Sequence, residues 1–271
     1  MENTANQPIG IFDSGIGGLT VAHAITQVLP LENIIYFGDT AHLPYGDKST
    51  AAIQAYSVKI CDMLLKQKVK AIVIACNSAS AAAYELVREY VGSKAKVLNV
   101  IDPTIRYMGQ HYAGQRVGLI GTKQTVFSNI YRKKTDELDR DITLCSLATP
   151  LLAPMIEEGF FNHNISQNII NEYLSSPVLA DIQALILACT HYPLIKHDIE
   201  SYYKENVQVL DSSLIVAESL QNLLAENNLL RTENPQPTKR FYVSDYTESF
   251  EHSTKYFFQE EVQLEHYPLW E

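Results

Sequence analysis

Ala71-Ile72-Val73-Ile74-Ala75-Cys76-Asn77-Ser78 returns later in the chain as Ala184-Leu185-Ile186-Leu187-Ala188-Cys189-Thr190-His191. Five apolar residues followed at once by small polar ones describe a strand buried on both faces, whose carboxyl end opens into a loop and then a helix. In open α/β sheets that end is where ligands bind. Two cysteines therefore hold the same place in two matching units.

The repeat extends beyond the cysteines. Ile9-Gly-Ile-Phe-Asp13-Ser14 has a counterpart in Val117-Gly-Leu-Ile-Gly121-Thr122, and residues 97–102 have one in 207–211. The displacements are 108 residues for Ile9, 113 for Cys76 and 109 for Asp102, with the order kept. Any two buried strands look alike, but three pairs in order read as a duplication. Strand-like runs at 9–13, 34–38, 71–75 and 97–100 alternate with helix-like segments at 18–28, 49–67 and 79–91. The second half repeats this with strands at 117–120, 142–147, 184–188 and 207–210 and helices such as 165–174 and 194–203.

Alternation of this kind predicts an α/β protein of two similar Rossmann-like lobes with largely parallel sheets. A pseudo-twofold axis would relate the lobes and an active site would lie between them. After Asp211 come a helix near 214–226, a Pro-containing linker at 232–238 and a last strand at 241–244, none with a counterpart in the repeat. The expected division is residues 1–98 plus 211–271 for the lobe of Asp13 and Cys76, and 99–210 for the lobe of Cys189 and His191.

The 271 residues can bury two modest cores, and 46% hydrophobic with 19% charged residues is ordinary globular composition. A net charge of -10, from 31 acidic and 21 basic residues without a Lys/Arg cluster, argues against nucleic acid or an anionic membrane as partner. An acidic substrate would have to be held by local donors such as helix amino termini. Residues 1–8 are polar and no apolar run is long enough to span a bilayer, so the expected location is the cytoplasm. There the four cysteines read as free thiols. Cys61, in an amphipathic helix, and Cys145, in a strand, are expected to pack as small hydrophobes.

Cys76 precedes an alanine-rich helix, whose amino terminus favours a thiolate. Cys189 precedes Thr190-His191-Tyr192-Pro193, with Pro suited to a first helical position, so the two thiols are expected in equivalent settings. One cysteine beside a histidine would suggest a nucleophile. Two, facing one substrate from opposite sides, suggest two bases that trade a proton through a planar intermediate, the logic of a racemase or epimerase. Asp13-Ser14-Gly15-Ile16-Gly17-Gly18 puts a carboxylate at the crevice and backbone N–H groups where an anion could sit. As a dinucleotide fingerprint it fails, because the third glycine position falls on Thr20; Asp39, at a distance suited to a ribose, does not rescue it. The loop Asp39-Thr-Ala-His-Leu-Pro44-Tyr45-Gly46 is suited to closing over a small ligand. Zinc on Cys76, Cys189, His191 and His42 is not expected, since no C-x-x-C spacing occurs.

These blocks resemble the cofactor-independent glutamate racemases over the full length. The resemblance rests on Gly10-Ile-Phe-Asp13-Ser14-Gly15-Ile-Gly17-Gly18-Leu, Asp39-Thr40-Ala41 with Pro44-Tyr45-Gly46, Cys76-Asn77, Gly121-Thr122 with Thr125-Val126, and Ala188-Cys189-Thr190-His191-Tyr192-Pro193-Leu194. Two positions depart from the family pattern. His42 stands where Arg is common, which removes a fixed cation, and Ser78 stands where Thr is common, which keeps the hydroxyl.

The resemblance implies interconversion of L- and D-glutamate for peptidoglycan, with no cofactor or metal, by a homodimer. It implies Cys76 and Cys189 as the acid/base pair, assisted by Asp13 on one side and by His191 and Glu157 on the other. Glu158, adjacent to Glu157, leaves the choice of carboxylate open. Substrate contacts are implied for Asp13, Ser14, Pro44, Tyr45, Gly46, Asn77, Ser78, Thr122, Thr125, Thr190 and His191. Alternatives are an aspartate racemase of the same plan, a non-catalytic amino-acid sensor, and a thiol amidase, which would use one cysteine only.

Overall fold

The computed structural model describes residues 4–161, 164–233 and 236–271. Its strands are β1 (Ile9–Asp13), β2 (Ile34–Gly38), β3 (Ala71–Ile74), β4 (Lys96–Asn99), β5 (Arg116–Gly121), β6 (Thr143–Ala148), β7 (Ala184–Ala188), β8 (Gln208–Asp211), β9 (Lys239–Val243) and β10 (Leu264–His266). They form two sheets, in the orders β10-β9-β2-β1-β3-β4 and β6-β5-β7-β8, and every pairing is parallel. The run β2-β1-β3-β4 is thus matched strand for strand by β6-β5-β7-β8. The α/β class read from the repeated strands is the class observed.

Strands β1, β2, β3 and β7 are buried at every position, because helices cover both faces of a parallel sheet. That is why they appear in sequence as unbroken apolar runs. In each sheet the chain steps from its first strand to one neighbour and crosses back to the other side, between β1 and β3 and again between β5 and β7. At such a reversal a crevice opens beyond the carboxyl ends of the strands. Asp13 ends β1, Cys76 follows β3 by two residues, Thr122 follows β5 and Cys189 follows β7.

Beyond residue 211 the chain forms the helix Ser212–Glu226, packed on Leu19–Val28 and Ile101–His111, and then adds β9 and β10 beside β2. A buried Lys70–Glu32 ion pair fastens this return: Lys70 Nζ also donates to the Leu229 carbonyl at 2.8 Å, and Glu32 Oε1 accepts the Arg231 N–H at 3.0 Å. Residues 234 and 235 of the expected linker lie outside the described residues.

Three expectations are corrected. The strand expected at 241–244 is not the last, since β10 follows; with only Leu264 of its three residues buried, β10 leaves no apolar signature. The helix expected from residue 79 is Asn77–Val91, because Cys76 itself is the N-cap and its sulfur accepts the Ala79 N–H at 3.4 Å. The helix expected from residue 194 begins as a 3₁₀ turn, Tyr192–Ile195, and becomes α-helical only at Lys196. Among the described residues no helix is long and apolar enough to cross a membrane.

Candidate active site

One crevice of about 30 Å³ is lined by Ser14, Pro44, Tyr45, Gly46, Cys76, Asn77, Ser78, Thr122, Ala153, Glu157, Ala188, Cys189, Thr190 and His191. Both halves of the repeat contribute. A larger surface hollow, about 650 Å³ beside β8 between His197 and Val209, holds none of the candidate residues. Of the residues singled out in the sequence, Asp13 and Thr125 do not reach the crevice wall. Thr125, fully buried, stands behind it, its hydroxyl 3.1 Å from Thr122 Oγ1 and 3.4 Å from Ser78 Oγ. His42 lies apart, stacked on Tyr56.

The Cys76 side is a helix amino terminus with a carboxylate behind it. Cys76 Sγ is 3.8 Å from Ser14 Oγ. Asp13 is fully buried, and its Oδ2 accepts the Gly18 N–H at 2.8 Å and the Gly15 N–H at 3.4 Å. The glycine-rich turn was expected to offer amides to an external anion; those two are taken by Asp13's own carboxylate. Burial raises the Asp13 pKa against the opposing effects of His191 and the turn amides, and its Oδ1 has no partner among the described residues. A carboxyl group in this setting holds a proton more readily than an exposed one. The helix terminus was also expected to lower the Cys76 thiol. Instead burial pushes it well up, the Asp13 charge adds to the rise, and the Ala79 amide and Ser14 offset only part of it.

The Cys189 side is built differently. Cys189 Sγ lies 3.6 Å from His191 Nδ1, and His191 Nε2 lies 2.9 Å from Glu157 Oε1, an ion-pair distance off the hydrogen-bonding direction of the ring. Burial alone would lower the His191 pKa, but the Glu157 charge and the Cys189 sulfur outweigh it and raise it well above the usual value. Of the two adjacent carboxylates, Glu157 reaches the crevice and Glu158 is exposed. The two thiols are therefore not in equivalent settings, contrary to the reading of their matching strands.

Polar side chains from both halves meet across the crevice. Ser78 Oγ is 2.8 Å from Thr122 Oγ1, and the buried Tyr131 hydroxyl donates to Asn77 Oδ1 at 2.7 Å. Burial keeps that phenol protonated, so it remains a donor to the Asn77 carbonyl and fixes the orientation of the carboxamide. Two glycines permit the close approach. A Cβ on Gly17 would fall 2.4 Å from the His191 ring, and one on Gly46 would fall 2.8 Å from Thr122 Cβ. Sequence reasoning missed Ala153, Ala188 and Tyr131. Ala188 could have been found, as the residue before Cys189 in the repeat, whereas nothing marks the other two. All four cysteines are free and buried, and among the described residues no group of three or more His, Cys, Asp or Glu is placed to hold a metal ion.

Residues 20–220 match the sequence profile of the Asp/Glu/hydantoin racemase family. The chain belongs to that family. Its relatives include a glutamate racemase of Neisseria meningitidis serogroup C, 45% identical over 247 residues and covering 90% of both chains, and one of Chlorobium phaeobacteroides, 40% identical over 259 residues and covering 96% of this chain and 95% of that one. The crystal structure of glutamate racemase from Francisella tularensis in complex with D-glutamate superposes with a TM-score of 0.91 at 42% identity, covering 98% of each chain.

Proposed function

We propose that this protein is an amino-acid racemase that interconverts L- and D-glutamate without a cofactor, with Cys76 and Cys189 as its two bases, and that it supplies D-glutamate for peptidoglycan. The observation that carries the reading is that two matching strand-Cys units bring both thiols to one crevice, each with its own proton-handling neighbour. The glutamate racemases among its relatives support the choice of substrate.

In one direction the Cys189 thiol passes its proton to His191 Nδ1, and the resulting imidazolium is held by Glu157. The thiolate then takes the α-proton. As the C–H bond breaks, its electron pair is spread over the α-carbon and the α-carboxylate, and the Cys76 thiol delivers its own proton to the opposite face. Burial keeps that thiol protonated, so it has a proton to give. Cys76 recovers a proton from solvent by way of Asp13, and His191 releases the one it accepted. In the other direction Asp13, its pKa raised by burial, accepts the Cys76 proton and the roles exchange.

The α-proton is far less acidic than a thiol, so donors around the carboxylates must stabilise the planar intermediate. Ser14, Asn77, Ser78, Thr122 and Thr190 take that role, with Thr125 steadying Thr122 and Ser78, while the loop at Pro44, Tyr45 and Gly46 holds the substrate in place. The same proposal takes residues 1–98 with 211–271 as one lobe and 99–210 as the other. It also takes the protein to be cytoplasmic, as its sequence leads one to expect, and a homodimer, on the strength of the family resemblance.

The test is circular dichroism of L- and D-glutamate, and of L- and D-aspartate, incubated with the protein. Decay of the glutamate signal to zero from either enantiomer is expected. Decay with aspartate alone would establish the aspartate reading, and calorimetric binding of glutamate without decay the sensor reading.

A further inference from the structure

We infer that Asp39, Ser244 and Trp270 form a latch that positions the loop Pro44-Tyr45-Gly46 against the substrate, which makes Trp270 a positioning residue for the reaction. The inference rests on the racemase reading above and deepens it by naming what holds one wall of the site in place.

Asp39 follows β2 and is fully buried. A buried carboxylate needs donors. Its Oδ2 accepts from Tyr45 Oη at 2.6 Å, and its Oδ1 from Trp270 Nε1 at 2.7 Å and Ser244 Oγ at 2.8 Å; His42 Nδ1 lies 3.1 Å from both oxygens. These groups come from three separate parts of the chain: the loop itself, the residue after β9, and the segment beyond β10. The loop backbone is tied to the same place. Ala41 N–H donates to Ser244 Oγ at 3.0 Å, Thr40 Oγ1 donates to the Asp245 carbonyl at 2.6 Å, and the Asp245 N–H donates back to Thr40 Oγ1 at 2.8 Å.

Aromatic packing fixes the tryptophan that completes the set. The His42 ring stacks on Tyr56 at 4.1 Å and meets Trp270 edge-on at 4.5 Å, while Tyr56 meets Trp270 edge-on at 5.5 Å. Lys59 Nζ sits 4.6 Å over the Trp270 ring. The flat imidazole at position 42, where the resembled family commonly carries Arg, fits this slot. At the other end Tyr45 gives its hydroxyl to Asp39 and lines the crevice between Pro44 and Gly46, and Gly46 abuts Thr122 of the facing half. Holding Tyr45 from behind sets the position of its neighbours at the substrate. The latch touches neither thiol, so it acts on binding and not on proton transfer.

The test is steady-state kinetics of the full chain with Trp270→Phe, which keeps an aromatic ring and removes the N–H. KM for both enantiomers should rise about three- to tenfold while kcat stays within about twofold, since the contacts of this loop hold substrate and transition state alike. A merely structural role would reduce the active fraction, lowering apparent kcat and leaving KM unchanged. Wild-type racemisation with an unaltered KM in Trp270→Phe overturns the latch and leaves the racemase reading intact; a wild type that does not racemise glutamate overturns that reading instead. Trp270 is the chain's sole tryptophan, so its fluorescence gives a second measurement that needs no substitution at that position. Tyr45→Phe, made at the site, should alter Trp270 emission through the shared Asp39. An emission spectrum superimposable on the wild type would overturn the coupling.

Discussion

Cys76 and Cys189 end strands of the same sequence type, yet one faces a buried carboxyl group and the other a histidine tied to a carboxylate. The backbone repeat gives each half a strand-to-loop corner that presents a small polar side chain at the crevice. What lies behind each sulfur is set by other parts of the chain. Asp13 comes from the neighbouring strand β1, and Glu157 from the short helix Leu152–Glu157 of the other half. Gly121, the repeat's counterpart of Asp13, brings no carboxylate, so the two sulfurs have different neighbours. A site that must treat two mirror-image substrates through one planar intermediate needs two faces, and the faces need not match.

The largest expected effect tests what the sides share. Cys76→Ser and Cys189→Ser should each lower racemisation by about a thousandfold or more, followed by the ellipticity of either enantiomer. Near-normal turnover in one of them would reduce the site to a single base. Next in size, Asp13→Asn and His191→Asn should each lower kcat/KM about 10²- to 10⁴-fold, the usual share of a general acid or base. Because the two enantiomers are equally stable, kcat/KM must fall equally in both directions. The difference between the sides is therefore to be sought in kcat, which Asp13→Asn should reduce more in one direction and His191→Asn more in the other. Identical directional ratios would break the comparison.

A smaller effect concerns the contact across the crevice. Tyr131→Phe leaves Asn77 Oδ1 without its donor, and KM for glutamate should rise about tenfold or less as the carboxamide loses its fixed orientation. The smallest effect is on stability and has a definite sign. The folded-state pKa of His191 is raised, with Glu157 the leading cause opposing burial, so this contact stabilises the fold fully below the unfolded histidine value of about 6.5 and ceases to do so as pH climbs through the folded value. Glu157→Gln should accordingly lower Tm more at about pH 6 than in alkaline solution, read by thermal melts across that range. An equal loss at both ends would mean that the contact carries no protonation linkage.

The local rules of strand, loop and helix were enough to read the architecture. Residues 9–13, 34–38 and 184–188 are strands within the bounds expected, because a parallel strand covered on both faces has to be an apolar run. Position after a strand likewise singled out Cys76 and Cys189, the family resemblance added Ser14, Asn77, Ser78, Thr122, Thr190 and His191, and all of them line the one crevice. Residues that act from behind the wall had no such signal. Tyr131 lies on the helix Ile130–Asp136, and its tie to Asn77 spans 54 positions; Trp270 and Asp39 are 231 apart. Glu157 and Glu158 are indistinguishable by composition, and only the helix turn that aims one inward separates them.

The sequence by itself determined the duplicated α/β plan and the placing of a cysteine at the same corner of each half, since hydrophobic periodicity and strand ends are local properties of the chain. The tertiary structure alone decided the electrostatics of those cysteines. Burial overrides the helix terminus at Cys76 because removing a thiolate from water costs more than one amide and one hydroxyl return, and the turn amides that looked free are spent on Asp13. Desolvation and long-range partners depend on everything that packs around a group, and no window of sequence contains them.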